Sequence, residues 1–159
     1  MTAEVPRAQY TSNGSRTTLS RFAESADRTL GRLLSMLGQP DRSTLVVERI
    51  PDGVHFDDMP GRDDPFLQAA GTAEAMTIEW GRRRDDGSWS VATLGREGDS
   101  SDAPDVAIAF NANGVLLVHR REVFDADEAA GVFKHFVRTG NPPAQYQLRE
   151  LSLASEQKP

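Results

Sequence analysis

The sequence contains no cysteine. That excludes disulfides, thiolate metal sites and a cysteine nucleophile together, and makes a reducing cytoplasm the expected compartment. No window approaches the roughly 18 apolar residues that a membrane-spanning helix needs. The opening Met1-Thr2-Ala3-Glu4-Val5-Pro6 has no basic stretch leading into an apolar one, so the chain reads as unexported and without a membrane partner. Histidine is scarce: His55, His119 and His135 are the only ones, and no two stand at a metal-ligand spacing such as H-x-x-x-H. His119, on an expected strand, and His135, on an expected helix, read as rim or surface residues. No serine occupies a G-x-S-x-G elbow, and no glycines gather as G-x-G-x-x-G or as a phosphate loop ending in Lys-Ser or Lys-Thr. Asp99, Asp102 and Asp105 lack the alternating D-x-D-x-D-G pattern and the distal Glu of a calcium loop. No metal, cofactor or nucleotide is therefore expected, and the chain reads as a non-enzyme. Arg82-Arg83-Arg84 and Arg120-Arg121 are short runs without interleaved aromatics, so nucleic acid is not an expected partner either.

What the chain does have is acid. The formal charge is −6 over 159 residues, with a pI near 5.0. Such a balance repels phosphate backbones and favours basic partners, although it also serves solubility. The acids are unevenly spread. Asp57-Asp58, Asp63-Asp64, Asp85-Asp86 and the set Glu97, Asp99, Asp102, Asp105 lie in Gly- or Ser-containing segments that read as loops.

The length suits a single domain with one core. Residues 1–17 mix Ser, Thr, Asn and Gly with isolated apolar residues, so they read as a flexible tail, dispensable over Met1 to Arg16, and 154–159 as a flexible C-terminus, leaving one α+β domain over 18–153. Leu19, Phe22, Ala23, Ala26, Leu30, Leu33, Leu34 and Leu37 follow an i, i+3, i+4, i+7 spacing that predicts an amphipathic helix over Leu19 to Leu37, ended by Gly38 and Pro40. Gly31 inside it costs about 1 kcal/mol relative to Ala, and close packing against a neighbour is the expected reason.

Strand patterns follow. Leu45 to Ile50 and Pro65 to Ala70 are short apolar runs, while Met76, Ile78 and Trp80 alternate with polar residues, predicting one core face and one wet face. Asp85-Asp86-Gly87 turns into Trp89, Val91 and Thr93. Val106, Ile108 and Phe110 alternate again, and Asn113-Gly114 is a two-residue hairpin signal leading to Val115 through Arg121. Tyr146 and Leu148 continue the alternation but Leu151 and Leu153 fall out of phase, so a last strand ends near Arg149 or bulges.

Between these lies a well-framed helix. Asp125 and Glu128 form an N-terminal capping box, Val132, Phe133, Phe136 and Val137 share one face, Gly140 suits a left-handed cap, and Pro142-Pro143 forbid continuation. The predicted span is Ala126 to Arg138. The fold class is α+β: a mostly antiparallel sheet of about six to seven strands with an N-terminal and a C-terminal amphipathic helix.

An acidic-start helix ending in Phe136-Val137-Arg138-Thr139-Gly140, then Pro142 and a final strand, resembles the closing segment of immunity protein family one of bacterial polymorphic toxin and contact-dependent inhibition systems. Asp64-Pro65-Phe66-Leu67-Gln68-Ala69-Ala70-Gly71, followed by a strand at Met76 to Trp80, is similar to that family's middle segment. Where family members often carry Arg-Pro after the Thr-Gly and a Trp in the last strand, this chain has Asn141-Pro142-Pro143 and Tyr146 with Leu148. The resemblance implies a cytoplasmic protein that binds and neutralises a cognate secreted toxin, basic nuclease or nucleic-acid deaminase domains among the possible partners. Inhibition of that kind needs a rigid covering surface rather than a reactive centre, and negative charge speeds encounter with a basic cleft. Expected contacts are Asp57, Asp58, Asp63, Asp64, Glu97, Asp99 and Asp102. A secretion chaperone or adaptor for an effector is the second expectation, and a small enzyme or ligand-binding domain using acids such as Glu79 the third.

Overall fold

In a computed structural model, residues 3–98, 103–111 and 114–151 are described. They form β1 (Ala8–Ser12), β2 (Ser15–Thr18), α1 (Ala23–Ser35), β3 (Thr44–Arg49), β4 (Phe66–Gly71), β5 (Met76–Arg83), β6 (Trp89–Gly95), β7 (Val106–Asn111), β8 (Gly114–Val118), α2 (Ala126–Thr139) and β9 (Gln147–Glu150). The architecture is α+β. Seven strands make one sheet in the order β2-β1-β3-β4-β5-β6-β9, and β7-β8 form a separate two-stranded sheet. Every pairing is antiparallel. Among the described residues no helix is long and apolar enough to cross a membrane.

Both helices pack on one face of the large sheet. Ala8, Leu45, Val47, Leu67, Ala69, Ile78 and Leu94 supply the strand side, and Leu30, Leu33 and Leu34 of α1 with Val132, Phe133, Phe136 and Val137 of α2 fill the core against them. The helical spacing in the sequence thus becomes one apolar stripe per helix. At α2 the Asp125 carboxylate accepts the Glu128 N–H at 2.9 Å, and Gly140 closes the helix at φ 81°. Only half of the expected capping box forms, because the Glu128 carboxylate is taken by Arg96 and by the Tyr146 hydroxyl.

α1 begins at Ala23 rather than Leu19. Leu19 is buried, but its N–H donates to the Ala8 carbonyl at 2.9 Å, so it belongs to the turn leaving β2. Gly31 also departs from expectation: a Cβ there would meet nothing within 4 Å. Close packing does not explain it, and Gly31→Ala should raise stability by about 1 kcal/mol through helix propensity. Chemical denaturation measures this, and a loss of stability would show that the site is tighter than it looks.

The N-terminal stretch expected to be a flexible tail is a docked hairpin. Val5 and Ala8 are buried, and β1 lies between β2 and β3 with Tyr10 opposite both Thr17 and Val47. Asn13 and Gly14 have φ of 52° and 75°, the left-handed pair that a two-residue hairpin turn requires. Strand pairing satisfies backbone groups whatever the side-chain period, so the missing apolar period did not mean disorder.

The second face of the sheet is not simply wet. Thr77 and Thr93 are fully buried there. The β7-β8 hairpin folds over this face so closely that a Cβ on Gly71 would come 3.0 Å from Ile108 Cγ2. On the same face Glu48 accepts the Gln9 side-chain amide at 3.1 Å. Burial pushes the Glu48 carboxyl above its ordinary range and Asp64 adds to this, while Gln9 and Arg16 oppose it. A carboxyl raised in the folded state contributes stability below its unfolded pKa and loses it as pH rises through the folded value. Glu48→Gln should therefore gain stability relative to the parent as pH rises through the carboxylate range, with the gap closing below about pH 4. Unfolding curves collected across pH check it, and a gap independent of pH would contradict it.

Candidate protein-interaction surface

In the β7-β8 hairpin Val106 faces Val118, Ala107 faces Leu117, Ile108 faces Leu116 and Ala109 faces Val115. Side chains alternate across a strand, so Ile108 and Val118, both buried, turn toward the large sheet. Ala107, Ala109, Val115 and Leu117 turn away from it. Val115 is 62% exposed and Leu117 55%, large values for branched apolar side chains two residues apart on one strand. Neither β7 nor β8 pairs with a third strand among the described residues, so the patch also carries open backbone edges.

A cleft of about 370 Å³ runs beneath β8, lined by Phe66, Gln68, Ala70, Glu79, Val91, Val115 and Leu116. The Phe66 ring covers Gly81, where any Cβ would overlap it, and stands 6.1 Å from the Trp89 ring. Glycine at 81 is thus what lets an aromatic floor form.

The base of the hairpin is held by charge. Glu122, in the 3-10 turn Arg120–Glu122, is 1% exposed. Arg149 of β9 grips it with two bonds, Nε to Oε2 at 2.8 Å and Nη2 to Oε1 at 2.9 Å, and the His119 N–H donates to Oε1 at 2.8 Å. The Glu122 hydrogen bonds hold the Arg149 guanidinium above its ordinary range. His119 is buried beside them, not a rim residue, because the chain leaves β8 there to cap the turn; His135 is exposed, as expected. Tertiary context placed His119, and its flanking sequence carried no signal of it.

The expected acidic contacts do not form one surface. Asp57 and Asp58 are exposed on the 3-10 turn Phe56–Asp58, between β3 and β4. Asp63 is paired with Arg83 at 2.9 Å, and Asp64 with Arg62 at 2.7 Å. Glu97 is exposed just past β6. Strand directions put the β3-β4 connection at the Phe66 end of the sheet and Glu97 beyond the Gly95 end, so the two clusters sit at opposite ends. Asp99 and Asp102 lie outside the described residues. Asp105, exposed, stands at the start of β7 and is the acid nearest the apolar hairpin in sequence. The outward face of β8 was missed by sequence reading, since Val115-Leu116-Leu117-Val118 is a continuous apolar run without alternation to reveal which members meet solvent. Among the described residues no three His, Asp or Glu side chains converge as a metal site.

No family model, curated protein or solved structure matches the chain.

Proposed function

We propose that the chain is an immunity protein that binds a cognate secreted toxin domain in the cytoplasm and neutralises it by covering it, with the outer face of the β7-β8 hairpin as the docking surface. The observation that carries this reading is the pair Val115 and Leu117, 62% and 55% exposed on a two-stranded sheet with open edges. A folded chain gains about 1.5–3 kcal/mol by burying each such side chain. Leaving two of them adjacent and exposed marks a surface that a partner covers. The excess of acid, −6 overall, supports a basic partner, of the kind a nuclease or nucleic-acid deaminase domain would be. In this reading the exposed acids Asp57, Asp58, Glu97 and Asp105 contribute to a negative field that steers a basic partner, while Asp63 and Asp64 are paired with Arg83 and Arg62.

A second reading, a secretion chaperone, is favoured by the open edge of β8, which suits addition of an extended effector segment as a further strand. One experiment separates the two. The protein that this chain captures from its native host is expressed in a sensitive host with and without the chain. Restored growth is expected. Growth arrest unchanged by the chain, or a neighbouring effector whose export depends on it, would overturn the immunity reading.

A further inference from the structure

The face and end of the molecule away from the hairpin hold a second feature. Arg7 and Arg49 line a pocket of about 400 Å³ between the start of β1, the end of β3 and the C-terminus of α2. Pro65, Gly140 and Asn141 also line a neighbouring trough of about 410 Å³, whose other walls are Trp80, Arg82, Arg83, Arg84 and Asp85. Five arginines thus line two adjoining pockets in a chain with 24 acidic residues against 18 basic ones. The three on β5 and its following turn are occupied: Arg82 and Arg84 hold Glu150 at 3.0 and 3.3 Å, and Arg83 holds Asp63 at 2.9 Å. Arg7 and Arg49 have no ion pair or side-chain hydrogen bond with any described residue. The indole N–H of Trp80, on the wall of the trough, is buried and likewise has no acceptor.

The chain makes room for one of these guanidiniums. A Cβ on Gly140 would stand 2.5 Å from Arg49 Nη1, so the glycine that ends α2 in a left-handed conformation also seats Arg49. Part of that charge answers the partial negative end of the α2 dipole, equivalent to roughly half a charge. Two carboxylates also line the pocket. Asp64 is held in two bonds by Arg62, which leaves Asp52 alone to set against two guanidiniums.

We infer that the Arg7–Arg49 pocket binds the phosphate group of a small molecule. Two guanidinium forks present more N–H groups than the two oxygens of a carboxylate accept without crowding, whereas the three or four oxygens of a phosphate take them in separate bidentate pairs. The volume lies within the range of roughly 300–1,000 Å³ common to small-molecule sites.

Trp80 and Trp89 are the only tryptophans, so in Trp89→Phe the emission excited selectively at tryptophan comes from Trp80 alone, in the trough beside the site. Inorganic phosphate titrated into this variant at constant ionic strength should change its emission along a saturating curve, with acetate at least about tenfold weaker. Arg7→Gln and Arg49→Gln should each weaken phosphate binding at least about tenfold, the expected cost of a lost charge-assisted pair. The exposed Arg120→Gln should leave it unchanged. A phenyl-phosphate or nucleoside monophosphate arm binding more tightly than free phosphate would place the phosphate on a larger ligand. Calorimetry on the parent chain gives the same titration should Trp89→Phe fail to fold, and Arg7→Gln carries the test should Arg49→Gln unfold α2. A response linear in phosphate, equal affinity for acetate, or affinity unchanged in the two arginine variants would overturn the site.

Discussion

Glu122→Ala should cost about 2–3 kcal/mol of unfolding free energy, the loss expected for charge-assisted hydrogen bonds to a buried carboxylate when the Arg149 side chain left behind is 31% exposed and can hydrate. The carboxylate is 1% exposed and is bound twice by Arg149 and once by the His119 N–H. Its removal takes away both hydrogen-bond acceptors of the Arg149 guanidinium and leaves Glu79 as a remaining carboxylate whose charge reaches it. It also frees the turn that anchors the base of the hairpin. Urea unfolding followed by circular dichroism measures the loss, and a change under 1 kcal/mol would show that the pair is replaceable by water. Glu122→Leu combined with Arg149→Met should recover much of the loss, since a matched apolar pair avoids the desolvation cost that ions carry.

Deleting residues 1–18 should be as damaging. It removes β1 and β2, strips the buried Val5 and Ala8 from the core, and converts β3 from an interior strand to an edge. Lost burial alone amounts to roughly 4 kcal/mol when the partly buried Tyr10 is included. The new edge exposes unpaired backbone groups beside Leu45 and Val47, so the truncated chain should also aggregate at concentrations where the parent stays monomeric. Thermal unfolding and light scattering report the two effects. A truncated chain that melts within a few degrees of the parent would mean that the hairpin is merely apposed.

That deletion concerns a part of the chain the sequence hid, whereas α2 was plain in it. The cap at Asp125, the spacing of Val132, Phe133, Phe136 and Val137, and the glycine at 140 are all local signals, and local signals fix helix ends. β1 and β2 are different in kind. β1 is held by pairing with β3, more than thirty residues away in sequence, and β2 by pairing with β1, and only Asn13-Gly14 marks them locally.

Faces were harder to read than elements. Period-two alternation at Met76, Ile78 and Trp80 marks one apolar face, yet Thr77 is buried on the other because a hairpin thirty residues later folds over it. The candidate interface shows the same limit. Acids that look like companions along the chain separate to opposite ends once strand directions are known, and Asp63 and Asp64 spend their charge on Arg83 and Arg62. Val115 and Leu117 carry no mark in the sequence that distinguishes them from core residues. Glu122 and Arg149 are 27 positions apart, and no pattern links them.

The most direct measurement is capture from the native host with the parent chain, a Val115→Asp/Leu117→Asp variant and an Asp57→Asn/Asp58→Asn variant, each checked for unchanged melting. The identified partner is then expressed alone and with each variant while growth is followed. The expected result is a basic, growth-arresting toxin domain that the parent retains. The β8 variant should lose it by at least about a hundredfold in affinity, as two buried apolar anchors imply, and should fail to restore growth. The Asp57/Asp58 variant should bind more slowly at low salt but still protect. Full binding and protection by the β8 variant, or a captured partner that does not arrest growth, would contradict the proposal that this chain neutralises a toxin through its exposed hairpin.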